Sequence, residues 1–194
     1  MAFWGAPLPT PDHARRGCRA GLAMLARLAL LNERLAARGV ASLEMGIGVN
    51  SGPAIVGTVG SEERVEYTLL GDAVNVASRL QELTKVYGRP LVMGETTSRA
   101  VAGAMATRRL DRARVRGRQE PLFVYEASSR PDAWAPVYEE GLSAYVDGRF
   151  EEACSLFERA ARESPGDPAA PMMLERARRL SADPPEGWDG CWRW

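Results

Sequence analysis

The chain has 194 residues, 45% hydrophobic and 26% charged, the balance of a soluble globular protein with room for one ordinary domain and an appendage. Its 25 basic and 25 acidic residues cancel, so no whole-molecule field argues for a nucleic-acid partner. Cys18, Cys154 and Cys191 are odd in number, widely spaced and without a CxxC; they suggest neither a disulfide framework nor a zinc site and fit a reducing, cytoplasmic setting. The most apolar run, "AGLAMLARLALL", is broken by Arg27 and too short to span a bilayer, and "MAFWGAPLP" lacks the basic start of a signal peptide. Lysine occurs only at Lys85, and an arginine excess spread over a whole chain is not itself read as phosphate binding.

In chain order, "MAFWGA" reads as a strand that starts at residue 1. A long helix follows, with Thr10 as N-cap and Pro11 at its first position. Ala14, Cys18, Leu22, Leu25, Leu28, Leu31 and Leu35 recur at three-four spacing to make its buried face, and Gly39 stops it. "LEMGIGV" (43–49) alternates apolar residues with Glu44, Gly46 and Gly48, which predicts a strand whose glycine face lets another backbone or a ligand come close. "NSGP" turns the chain, "AIVGTVG" returns as a strand, and "YTLL" (67–70) is a further strand ended by Gly71-Asp72. A helix is predicted from about Ala73 to Tyr87 and closed by Gly88. "PLVMG" is the next strand, "TTSRAVAG" a short helix, and "TRRLDRARV" and "LFVYEA" are strands around the turn "RGRQEP".

This order predicts an α+β domain, with helices over one face of a mainly antiparallel sheet. It is expected to span 1–127, with a linker at 128–134 and a strandless helical tail at 135–194. Within the tail, "VYEEGLSAYVDGRFEEACSLFERAARESPGD" resembles a tetratricopeptide repeat at Gly141, Gly148, Ala153, Phe157, Ala160 and Pro165, and departs from it at Val137, Glu140 and Ala144. One repeat cannot bury its own face. The tail therefore leans on "APMMLERARRL", on the first domain, or on a protein partner. The tryptophans of "PPEGWDGCWRW" pack back as an anchor or form an exposed contact patch.

The stretch with chemistry in it is "YTLLGDAVNVASRLQELTK". Asn75 and Arg79 share one helix face, while Val74, Ala77, Leu80 and Leu83 or Thr84 supply the packed side. An amide and a guanidinium near a helix N-terminus suit a phosphate. By the residues alone, an ordinary first-turn asparagine and a solvated arginine fit equally. Asp72 reads as an N-cap rather than a metal ligand.

"MGIGVNSGPAIVGTVGSEERVEYTLLGDAVNVASRLQELTKVYG" closely resembles the conserved centre of class III adenylyl/guanylyl cyclase domains. "MAFWGAPLPTPDHARRGCRAGLAML" and "LDRARVRGRQEPLFVYE" look like the adjoining cyclase segments in the right order, so the likeness covers about residues 1–127. The "WDG" tail looks like that of bacterial relatives in which helices follow the cyclase domain. The resemblance implies a ferredoxin-like cyclase fold with a C-terminal α-helical hairpin extension, and conversion of ATP or GTP to a 3′,5′-cyclic nucleotide plus pyrophosphate in signal transduction. It also implies two Mg²⁺ or Mn²⁺ ions held by two aspartates, and a site at a head-to-tail dimer interface. By the same resemblance Asn75 orients the ribose, Arg79 holds the α-phosphate, Arg116 of "VRGR" grips the terminal phosphates, and Thr68 reads the purine edge. Preorganised donors of this kind are worth about 3–4 kcal/mol each in turnover. A hydroxyl both donates and accepts, so Thr68 favours adenine only weakly.

The same resemblance puts both metal-binding aspartates and a base-contacting lysine before the "MAFWG" strand, so no metal ligand is assigned here; Asp12, at the start of the next helix, is no substitute. The domain is accordingly expected to be N-terminally truncated, with an unpaired sheet edge. Three readings stay open. The chain is a fragment of a whole cyclase, or a short protein lending Asn75 and Arg79 to a partner cyclase subunit that holds the metals, or a non-catalytic interaction module. These residues alone are expected to have no measurable cyclase activity.

Overall fold

A computed structural model describes residues 1–60, 65–115, 120–128 and 135–192. Their elements in chain order are α1 (His13–Ala36), β1 (Ile47–Val49), β2 (Ile55–Gly60), β3 (Val65–Leu70), α2 (Asp72–Tyr87), β4 (Leu91–Gly94), α3 (Glu95–Val101), β5 (Ala106–Ala113), β6 (Leu122–Ser128), α4 (Ala135–Val146), α5 (Phe150–Glu163) and α6 (Ala169–Ala182). β1, β4, β6 and β5 lie side by side in that order; β1 runs parallel to β4, and the β4–β6 and β6–β5 pairs are antiparallel. β2 and β3 form a separate antiparallel hairpin, registered from Ile55 opposite Leu70 to Gly60 opposite Val65. The fold is the expected α+β arrangement of helices on a mainly antiparallel sheet, extended at its C-terminus by helices α4–α6.

Helices cover both faces of the four-stranded sheet, not one. On one face Ala14 and Cys18 of α1 pack with Leu91, Met93, Val101 and Ala127. On the other, Val76, Leu80, Leu83 and Tyr87 of α2 join Val92, Leu110 and Val124 in a core that runs on without a break into Tyr138, Leu142, Tyr145, Phe157 and Met173 of the tail. The pleat divides the two, since neighbouring strand residues point oppositely: Leu91 and Met93 face α1, whereas Val92 faces α2 and the tail.

The glycine face of β1 is used by a backbone. A Cβ on Gly48 would stand 2.1 Å from the Ala77 carbonyl oxygen and 2.4 Å from the Gln81 nitrogen; one on Gly46 would stand 2.1 Å from Thr84 Oγ1. α2 therefore lies directly on β1 because neither residue has a side chain.

Several expectations give way here. Residues 1–6 form no strand, and residues 43–46 precede the strand rather than belong to it. Thr10 does not cap α1 with its side chain: its hydroxyl donates to the Leu8 carbonyl, while its own carbonyl accepts the His13 N–H at 3.0 Å. The helix then starts at His13, with Asp12 paired to Arg15 and Arg16. The buried row of α1 is Ala14, Gly17, Cys18 and Gly21, so close packing rests on small residues; Leu31, expected inside, is 42% exposed.

The tail packs on its own domain. Gly141 brings α4 against α5, since a Cβ there would meet the Phe157 ring at 3.1 Å, and Gly148 at φ +78° makes the turn between the two helices. Trp188 closes the far end: its indole N–H is shared between the Tyr145 and Val146 carbonyls, and its ring meets Tyr145 and Phe150 edge-on. Buried polar contacts join tail to sheet. Arg108 makes a two-pronged pair with Asp167 at 3.0 and 3.1 Å, Arg176 pairs with Asp111 at 2.8 Å, and the Tyr138 hydroxyl donates to the Leu110 carbonyl at 2.7 Å. Burial pushes the Asp111 carboxyl above its usual range, against the opposing pull of Arg176.

Candidate functional site

Three of the predicted site residues, Thr68, Asn75 and Arg79, lie on β3 and α2, which meet at a single glycine. Gly71 has φ +150° and ψ 166°, a backbone essentially restricted to glycine, and its carbonyl accepts the Val74 N–H at 3.1 Å to begin the helix. Gly71, not Asp72, is the N-cap; Asp72 is an exposed first-turn acid. The loop after β1 fixes the same turn from the other side, where the Asn50 amide donates to the Ala73 carbonyl at 3.0 Å. At the other end Gly88 closes α2 in the left-handed conformation, with φ +60°.

The buried stripe of α2 is Val76, Leu80, Leu83, Thr84 and Tyr87. It is turned from the expected one, in which Val74 and Ala77 led. The change follows from β1, whose glycines seat the backbone at Ala77 and Gln81 rather than a side chain. Asn75, Ser78, Glu82 and Lys85 are exposed, and Arg79 lies among them with 37% of its side chain exposed. The Arg79 guanidinium donates to Glu82 Oε1 at 2.6 Å. Glu82 is a residue the sequence reading left out; its offset of three from Arg79 marked it as an ion-pair partner.

Thr68 is half-buried on β3, opposite Gly57, and nothing lies within 4 Å of where a Gly57 side chain would begin. Ile55 and Leu70, one pair further along this side of the hairpin, are 75% and 50% exposed. Arg116 lies outside the described residues; Val115, just before it, is buried. Thr68, Asn75 and Arg79 thus sit on adjoining elements of an open surface. A groove of about 700 Å³ runs along α4 and α5, with Arg109, Glu139, Arg149 and Glu152 in its walls, and it includes no residue of β3 or α2.

Among the described residues no group of three or more His, Cys, Asp or Glu is placed to hold a metal ion. The donors present do not fit a two-metal site, so no chemical step through metal is derived for this chain. Among the same residues no helix is long and apolar enough to cross a membrane.

Residues 1–126 match the family model for the adenylate and guanylate cyclase catalytic domain. The chain is 37% identical over 126 residues to adenylate cyclase 1 of Rhizobium meliloti, covering 65% of this chain and 19% of that protein. It is 34% identical over 146 residues to the terminal-differentiation-specific adenylate cyclase of Dictyostelium discoideum, covering 70% of this chain and 7% of that one. It thus spans a fifth or less of the length of these relatives. Among solved structures, the adenylyl cyclase CyaB of P. aeruginosa superposes with a TM-score of 0.60 at 24% identity, over 66% of this chain and 65% of that one. The guanylyl cyclase Cya2 superposes with a TM-score of 0.57 at 27% identity, over 67% and 65%.

Proposed function

Because the chain belongs to the adenylate and guanylate cyclase catalytic-domain family, we propose that it supplies the asparagine–arginine half of a nucleotide cyclase site, acting on ATP or GTP across a head-to-tail subunit seam. The observation that carries this reading is the division of α2. One face is sealed in the core, while Asn75 and Arg79 stand on the other, in the first two turns of a helix whose N-terminal dipole favours anions. A site completed by a second subunit needs such groups at the surface of the single chain, not in a pocket of its own.

The Arg79–Glu82 pair suits a binding residue at rest. Exposed ion pairs of this kind are worth about 0–1 kcal/mol. A phosphate offering two oxygens to the planar guanidinium forms stronger, charge-assisted hydrogen bonds, and Glu82 is then released to water. In this reading Asn75 orients the ribose, Arg79 holds the α-phosphate as charge builds in the transition state, Thr68 contacts the purine edge, and Arg116 binds the terminal phosphates. Mg²⁺ or Mn²⁺ would be held by carboxylates of a partner subunit, where it would lower the pKa of the nucleotide's own 3′-hydroxyl; no residue of this chain is assigned to hold it. The tail's likeness to a tetratricopeptide repeat is part of the same proposal.

The test mixes this chain with a metal-bearing cyclase domain whose own asparagine and arginine at the matching helix have been replaced by alanine. The expected result is cyclic nucleotide formation from ATP or GTP with the mixture and none with either component alone. Arg79→Ala should lower turnover about 100-fold or more while leaving the thermal midpoint in place. A mixture that stays inactive with both nucleotides would favour the non-catalytic interaction module instead.

A further inference from the structure

The tail grips the end of α2 opposite to the one that carries Asn75 and Arg79. Asp111 is fully buried on β5. It reaches the tail-facing side at a β-bulge, where Arg109 pairs with Tyr125 and Asp111 with Val124, leaving Leu110 as the extra residue. Its Oδ2 accepts two hydrogen bonds of 2.8 Å, one from the hydroxyl of Tyr87, the last residue of α2, and one from the Arg176 guanidinium of α6. Its Oδ1 accepts the Arg112 N–H at 2.7 Å. One carboxylate therefore joins α2, β5 and α6.

Two more contacts tie the same end of α2. Gly88 lies so close to the tail that a Cβ there would stand 2.6 Å from Pro168 Cγ. Arg89, just past the helix, pairs with Glu126 of β6 and reaches Asp167 at the start of α6 at 3.5 Å. A helix of 16 residues with an unbroken hydrogen-bond ladder is a stiff rod about 24 Å long. Holding its last turn sets the direction in which its first turns point.

We infer that Asp111 and Arg176 are positioning residues for the exposed face of α2, so that docking of the C-terminal helices sets the pose in which Asn75 and Arg79 meet a nucleotide. The inference rests on the cyclase reading for what that face binds, but the coupling itself is a property of this chain. Neither residue touches the candidate site. Both act through Tyr87.

Hydrogen exchange on the full chain tests the coupling. Tyr87→Phe keeps the ring in the core and removes only the hydroxyl. Arg176→Met breaks the ion pair, and the double change Asp111→Asn with Arg176→Met removes both charges and so avoids a lone buried one. Amide exchange over residues 72–80 should rise about 5-fold or more in each variant, relative to residues 14–21 of α1 in the same molecule. In the complementation mixture, Tyr87→Phe should raise the KM for nucleotide by a similar factor with little change in kcat, a split that general loss of folded protein would not give. The inference is overturned if exchange at 72–80 stays at the wild-type rate in both Tyr87→Phe and the double variant, even where α6 exchanges faster. If the wild-type mixture never forms cyclic nucleotide, the cyclase reading fails, and the exchange rates still decide the coupling.

Discussion

The two faces of the sheet close in different ways. Against α1 the contacts are hydrocarbon, glycine and a buried cysteine, and burial stops at Gly21, so that Met24, Leu30 and Leu31 stand 51%, 49% and 42% exposed. Against α2 and the tail the core is larger and contains Arg108, Asp111, Glu126, Asp167 and Arg176, each almost wholly buried and paired. A buried pair offers little net stability over an apolar one, but losing one partner is costly. The tail face thus demands one arrangement of its elements, whereas the α1 face asks only for shape. The C-terminal helices belong to the domain's core and are not a module merely tethered to it.

Three substitutions sharpen that contrast. The largest effect is expected from Phe157→Ala, which empties a fully buried position in the shared core. It should cost about 3–5 kcal/mol and shift the whole urea transition, read both by far-ultraviolet circular dichroism and by tryptophan fluorescence. Two separate transitions would mean that tail and sheet fold independently, and the comparison would fail.

Gly48→Ala comes next. The new methyl would press on the backbone of Ala77 and Gln81, so helix or strand must move, at about 1–3 kcal/mol. Because Arg79 lies between those two residues, complementation should suffer more than the thermal midpoint suggests. Unchanged activity would show that α2 slides along β1 without consequence for the site. The smallest effect is expected from Leu31→Ser on the uncovered half of α1, within about 0.5 kcal/mol of wild type by the same denaturation. A loss several times larger would reveal that another surface covers this half of the helix in solution.

Much of this was legible in the residues themselves. The α2 helix was bounded by Gly71-Asp72 and Gly88, and its end at Tyr87 was read to the residue. The glycines of "LEMGIGV" announced a close approach, though not whether backbone or ligand made it. Elsewhere local pattern misled. "MAFWGA" has strand-like residues, yet a strand exists only through a partner, and none of the described strands pairs with it. "TRRLDRARV" was legible as a strand, but not the fate of its charges: Arg108 and Asp111 are buried, on partners 59 and 65 residues away in sequence. Asn75 and Arg79 were placed on one helix face by spacing; the same spacing offered Glu82 as a partner for Arg79, and the side chains show the pair made.

By itself the sequence determined most of the elements, the family and the face of α2 on which an amide and a guanidinium stand, because periodicity, glycine positions and motif order are all local in the chain. Only the tertiary structure decided that the tail completes the core and that a buried carboxylate ties it to α2. Those contacts join residues far apart along the chain, and desolvated charges find their partners only when the whole fold brings them together.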